Sequence, residues 1–106
     1  MGYGFYSDNN TVATGDTAQQ VWTYLKSYGY SDSVAAGIIG NMMRECGGDT
    51  LNLDWNIVGH YNGDEFYGLC QWGLRYTPTG FKGSNVKEQC EYLPVSYTHL
   101  RAHETK

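Results

Sequence analysis

The chain has 106 residues, enough for one small domain. Lys plus Arg is 7 and Asp plus Glu is 11, so the net charge is −4; with no basic cluster, this excludes the electrostatic footprint of a nucleic-acid or anionic-membrane binder. Its 3 Cys are too few, and odd in number, for a disulfide scaffold, and no apolar run is long enough to span a bilayer.

Residues 1–15 read as a polar, Gly-containing arm, and MGYGFYSDNN has neither the basic nor the apolar region of a secretory signal. A first helix is expected from Asp16 or Thr17, where Thr17-x-x-Gln20 fits a capping box. Ala18, Val21, Trp22, Leu25 and Tyr28 lie on one face of it, and Gly29 ends it. A second helix is expected from Ser31 to Ser33, with Val34, Ala35, Ile38, Ile39, Met42, Met43 and Cys46 as its apolar stripe. Ala36, Gly37 and Gly40 are small residues that would permit close packing against a neighbour, and Gly47-Gly48 stops the helix. Residues 49–72 read as irregular loop with one or two short strands and a hairpin turning at Asn62-Gly63. Residues 73–84 read as loop, after which Ser84 or Asn85 caps a third helix carrying Val86, Cys90 and Leu93. Pro94 interrupts that stripe. The following run, PVSYTHLRAHETK, resembles translated sequencing-adapter read-through, which sets 94–106 outside the native domain. Composition adds one hint: 15% aromatic with only 17% charged residues suits a flat ligand that is hydroxylated or apolar.

Glu45 carries the sharpest chemistry. At about 100° per residue it falls beside Ile38, on the edge of the second helix's apolar stripe and in its last turn. Both the helix dipole and partial burial there disfavour the charged carboxylate. A carboxyl kept protonated is what a general acid needs to protonate a leaving oxygen.

The run AAGIIGNMMRECGG, a loop of about two dozen residues, then YGLCQW resembles the phage tail lysozyme family. TAQQVWTYLKSYGYSDSVAAGIIGNMMREC resembles that family's opening pair of helices, and VKEQCEYL its next helix, so the likeness spans about residues 16–93. Gly-Asn-x-x-x-Glu together with Gly-Leu-x-Gln-Trp is the specific signal. The resemblance implies a mainly α, α+β lysozyme-like fold, with helices around a cleft and a short hairpin wall. It implies Glu45 as the general acid that cleaves the peptidoglycan glycan, at the β-1,4 linkage between N-acetylmuramic acid and N-acetylglucosamine. It implies Gly68, Leu69, Gln71 and Trp72, with Tyr67, as the opposite wall. A Gly would admit a sugar close to the backbone, Gln71 can donate and accept at hydroxyls, and Trp72 can face a pyranose ring. The implied partners are bacterial peptidoglycan and other phage tail proteins or domains, at the virion tail and the bacterial wall. Nucleic acid and membrane are not expected partners.

Two departures from the family stand out. Cys46 follows the Glu where the family has Ser, and the chain stops before the helices that complete the family's cleft. A second carboxylate would sit about 5–5.5 Å away in a retaining enzyme and about 6.5–9.5 Å away in an inverting one. Phe66 occupies the place where animal-type lysozymes carry an Asp, which leaves Asp64 and Glu65 as candidates for a water-activating base. If neither serves, a lytic transglycosylase using one Glu as acid and then base becomes attractive.

No cofactor or metal is expected, because acid cleavage of a glycosidic bond requires none. Asp54-x-Asn56-x-x-Gly59-x5-Glu65 approaches a calcium loop, but Val58 stands where a ligand is needed. Cys70 with His60 could suggest a thiol hydrolase, yet Cys70 reads as a buried filler, as do Cys46 and Cys90. No spacing suits zinc. A non-catalytic glycan-binding module is the remaining class.

Overall fold

In this computed structural model, the described residues are 11–93. The 94–106 tail and the first ten residues of the expected arm lie outside them.

Helix α1 spans Thr17–Ser27. Asp16, rather than Thr17, is its cap: the Asp16 carboxylate accepts from the Gln19 N–H at 2.9 Å, while Gln20 Nε2 reaches back to the Gly15 carbonyl at 2.8 Å. The cap oxygen thus comes one position earlier than expected, and the reciprocal half of the box is not made, because the Gln20 amide donates to a carbonyl and does not accept the cap N–H. Carboxylate oxygens compete well for the same backbone donors. At the other end the Gly29 N–H bonds to the Lys26 carbonyl and the Tyr30 N–H to the Leu25 carbonyl, with Gly29 at φ 95°. That is a Schellman closure, in which a residue without Cβ takes the left-handed position. Val21, Tyr24, Leu25 and Tyr28 are buried, so Tyr24 replaces Trp22 on the core face, and Trp22 lies outside near Lys26.

Helix α2 spans Asp32–Cys46, capped where expected by Ser31, whose hydroxyl accepts from the Val34 N–H at 3.2 Å. It buries Ala35, Ile38, Ile39, Met42 and Cys46. The expected close packing at Gly37 and Gly40 is absent: among the described residues nothing approaches within 4 Å of where a Cβ would stand. Lys26 pairs with Asp32 at 2.7 Å across the α1–α2 corner.

Strands β1 (Val58–Tyr61), β2 (Asp64–Tyr67) and β3 (Trp72–Gly73) form an antiparallel sheet in that order. The turn at Asn62-Gly63 is where the sequence predicts it, with φ of 52° and 81°. Two successive positive φ values make the tight hairpin whose twist matches its strands. Strand β3 is too short to leave a pattern in the sequence.

Helix α3 occupies residues 86–93, with the Asn85 side chain accepting from the Glu88 N–H at 2.9 Å. Two single-turn 3-10 helices, Leu74–Tyr76 and Phe81–Gly83, link β3 to α3. One core joins all these elements, from Leu25 and Met42 through Leu53 and Leu69 to Cys90 and Leu93. Helices hold 48% of the described residues and a small sheet forms one wall, which is a mainly helical α+β lysozyme-like fold. Among the described residues no helix is long and apolar enough to cross a membrane.

Candidate active site

Glu45 lies in the last turn of α2 and is exposed, not half-buried as its place on the stripe suggests. Cys46, one residue on, takes the inward position instead. Burial pushes the Cys46 thiol up to about 11, opposed by a hydrogen bond from the Asp54 backbone and reinforced by the charges of Asp54 and Glu45. The Glu45 charge also reaches Cys70: burial first, then Cys90, Cys46 and Glu45, push the Cys70 thiol up.

The sheet register decides which wall residues can meet a ligand. Tyr61 pairs with Asp64, Gly59 with Phe66 and Phe66 with Gly73, so these residues share one face. Val58 pairs with Tyr67, His60 with Glu65 and Tyr67 with Trp72, so these share the other. Tyr67 is 1% exposed and Trp72 7%, which makes the second face the core side. Trp72 meets Phe81 edge-on at 5.2 Å and Tyr92 at 5.5 Å, and the Tyr67 hydroxyl points to the Ser84 carbonyl at 3.4 Å. These two aromatics hold the wall from behind. The expectation that they face a sugar is corrected by strand alternation, which turns both rings inward.

Gly68 and Leu69 are corrected similarly. Both are buried, Leu69 completely. Gly68 has φ 82°, and a Cβ there would stand 2.3 Å from Gln89 Oε1. A side chain at Gly68 is therefore barred by both backbone conformation and space, and the close approach it allows is made by the protein's own amide.

Gln89 itself is fully buried. Its Oε1 accepts from the Leu69 N–H at 2.8 Å and its Nε2 donates to the Trp55 carbonyl at 2.8 Å. One side chain on α3 thus ties the loop before the sheet to the wall segment after it. The sequence reading passed over this residue. Its signal was an amide inside the Val86, Cys90 and Leu93 stripe, where an apolar residue would be expected.

Gln71 is the wall residue that reaches the outer face. Its backbone takes φ 50°, and its Nε2 donates to the carbonyls of Gly68 at 3.1 Å and Ile57 at 3.3 Å. Its Oε1 lies over Gly59, 2.3 Å from where a Cβ would stand.

The two candidate carboxylates point to opposite faces. Asp64 is on the outer face and pairs with Arg75 at 2.5 Å. Glu65 is on the core-side face, 3.2 Å from His60 Nε2 and 4.0 Å from Lys82 Nζ. Phe66 is beside Asp64 on the outer face, half-buried.

The alternative chemistries lose their geometry. Residues 58–61 and 64–67 are paired strands, so the calcium-loop spacing does not form a loop. Among the described residues no group of His, Cys, Asp or Glu is arranged to hold a metal ion. Burial pushes the Cys70 and Cys90 thiols up, which disfavours a thiolate nucleophile.

A family model described as phage tail lysozyme matches residues 16–103. The match begins at the α1 cap and runs past α3 into the stretch that the sequence reading set apart. No relative among curated proteins and no solved structure matches the chain. The family match supports a lysozyme-like glycosidase acting on peptidoglycan, in a phage tail or cell-wall context.

Proposed function

The chain belongs to the phage tail lysozyme family, and from that premise we propose that it is a muramidase using Glu45 as general acid. Its bond would be the β-1,4 linkage between N-acetylmuramic acid and N-acetylglucosamine, cut as a phage tail engages the bacterial wall. The observation that carries the reading is the position of Glu45. It stands exposed at the end of α2, while Cys46 beside it packs into the core. An exposed carboxyl can meet a glycosidic oxygen and donate a proton to it.

Gln71 would hold substrate hydroxyls through Oε1, since its Nε2 is committed to the backbone. Tyr67, Gly68, Leu69 and Trp72 would support that wall without touching the sugar. Asp64 is the better of the two base candidates, because it shares the outer face with Gln71, whereas Glu65 faces His60 and Lys82. No step needs a metal or cofactor.

A second reading, a lytic transglycosylase, is favoured by one observation. Phe66, not a carboxylate, sits between Asp64 and the wall on the outer face, and Asp64 is already paired with Arg75. Glu45 would then serve as acid and afterwards as base, closing a 1,6-anhydro ring.

Dye-labelled sacculi test the shared claim. The native chain is expected to release dye, and Glu45→Gln to lower the rate by at least about 100-fold while the circular dichroism is unchanged. Release by the variant at the native rate would remove Glu45 from the mechanism.

A further inference from the structure

The outer face of the sheet carries more than Gln71 and Asp64. Tyr61, opposite Asp64, is 70% exposed, and Tyr76, in the 3-10 turn after β3, is 76% exposed. Tyr76 lies against Gly73: its Cδ2 is 3.4 Å from where a Cβ would stand, and Phe66 Cε1 is 3.6 Å from the same point. A ring, a half-buried ring and a second ring thus run across one surface from the hairpin end to the turn after β3. Gly59 and Gly73 flank Phe66 in the register and add no side chains of their own to that face. Resting on the peptidoglycan reading above, we propose that Tyr61 and Tyr76 form a glycan-stacking platform that binds successive sugars of the strand beside Gln71.

The chemistry of the face favours this occupant. Exposing two large aromatic rings to water on one small sheet is costly unless something covers them. The rings do not form a continuous apolar patch of the kind that buries a protein partner. The Asp64–Arg75 ion pair and the Gln71 amide lie among them, so apolar surfaces alternate with donors and acceptors. A pyranose has the matching pattern, with C–H groups on its faces and hydroxyls on its rim. Arg75 also neutralises Asp64, so the platform presents no unpaired acid to a glycan that carries acidic stems. Among the described residues, the other exposed aromatic, Trp22, differs: it lies on α1 with Lys26 Nζ 5.9 Å from its ring centre.

The test is co-sedimentation with purified peptidoglycan, alongside the substrate dependence of dye release. Tyr61→Ala/Tyr76→Ala is expected to raise the apparent Kd and KM about tenfold and to leave kcat within about twofold, with no change in Tm. Tyr61→Phe/Tyr76→Phe should restore binding, because the ring is kept. Trp22→Ala should bind as the native chain does. Native-like binding by the double Ala variant would overturn the platform while leaving cleavage by Glu45 standing. Equal weakening by Trp22→Ala would also overturn it. A native chain that neither binds nor cleaves peptidoglycan would overturn the underlying reading and the platform with it.

Discussion

Gln89 is the residue on which the wall depends most. Its amide satisfies a buried N–H at Leu69 and a half-buried carbonyl at Trp55. Gln89→Leu keeps the volume and removes both partners. It should lower stability by about 2–4 kcal/mol, since an unsatisfied buried group costs about 1–3 kcal/mol. Urea denaturation checks this, and an unchanged midpoint would mean that the bridge contributes nothing. Gln71 uses the same chemistry in an exposed setting, where its bonds orient a side chain more than they stabilise the fold. Both glutamines put an amide oxygen where a Cβ would go: at Gly59 a side chain would displace the Gln71 amide, and at Gly68 the positive φ adds backbone strain.

At the scale of elements, the hairpin sets which residues face a ligand. Its turn requires positive φ at both Asn62 and Gly63. Gly63→Val would force a β-branched residue into that region, and a Tm loss equivalent to about 1–3 kcal/mol is expected. All three helices and the hairpin turn were legible in the sequence because their signals are local: a capping oxygen before a 3.6-residue stripe, and an Asn-Gly pair between strands. The orientation of the wall was not legible. Gly68 to Trp72 read as a ligand surface, yet Tyr67, Gly68, Leu69 and Trp72 turn inward, because β3 pairs Trp72 with Tyr67 on the core side. A strand of two residues leaves no alternation to detect, so nothing in the sequence marks which way Trp72 points. Glu45 failed in the opposite direction. Its place on the edge of the stripe suggested partial burial, but the inward position at the helix end went to Cys46.

For the whole molecule, the buried thiols and tyrosines predict an alkaline limit. Burial raises the Cys46 thiol from 9.0 to about 11, and it raises Cys70, Cys90, Tyr28 and Tyr67 in the same direction. The native state therefore keeps these protons to higher pH than the unfolded chain does. The stabilisation from Cys46 is full below pH 9.0 and is lost as pH rises through about 11. Urea midpoints should fall steeply above that lower value, and a flat profile would contradict the burial of these groups. The same core positions the end of α2 that carries Glu45. Cys46 packs inward, its carbonyl accepts from the Asp54 N–H at 3.0 Å, and Glu45 is left exposed at the helix end.

The most direct test is mass spectrometry of the products from purified peptidoglycan, for the native chain and for Glu45→Gln. Muropeptides with hydrated reducing ends, present with the native chain and absent with the variant, are the predicted result. The same products from both proteins, or no glycan cleavage by the folded native chain, would contradict the account.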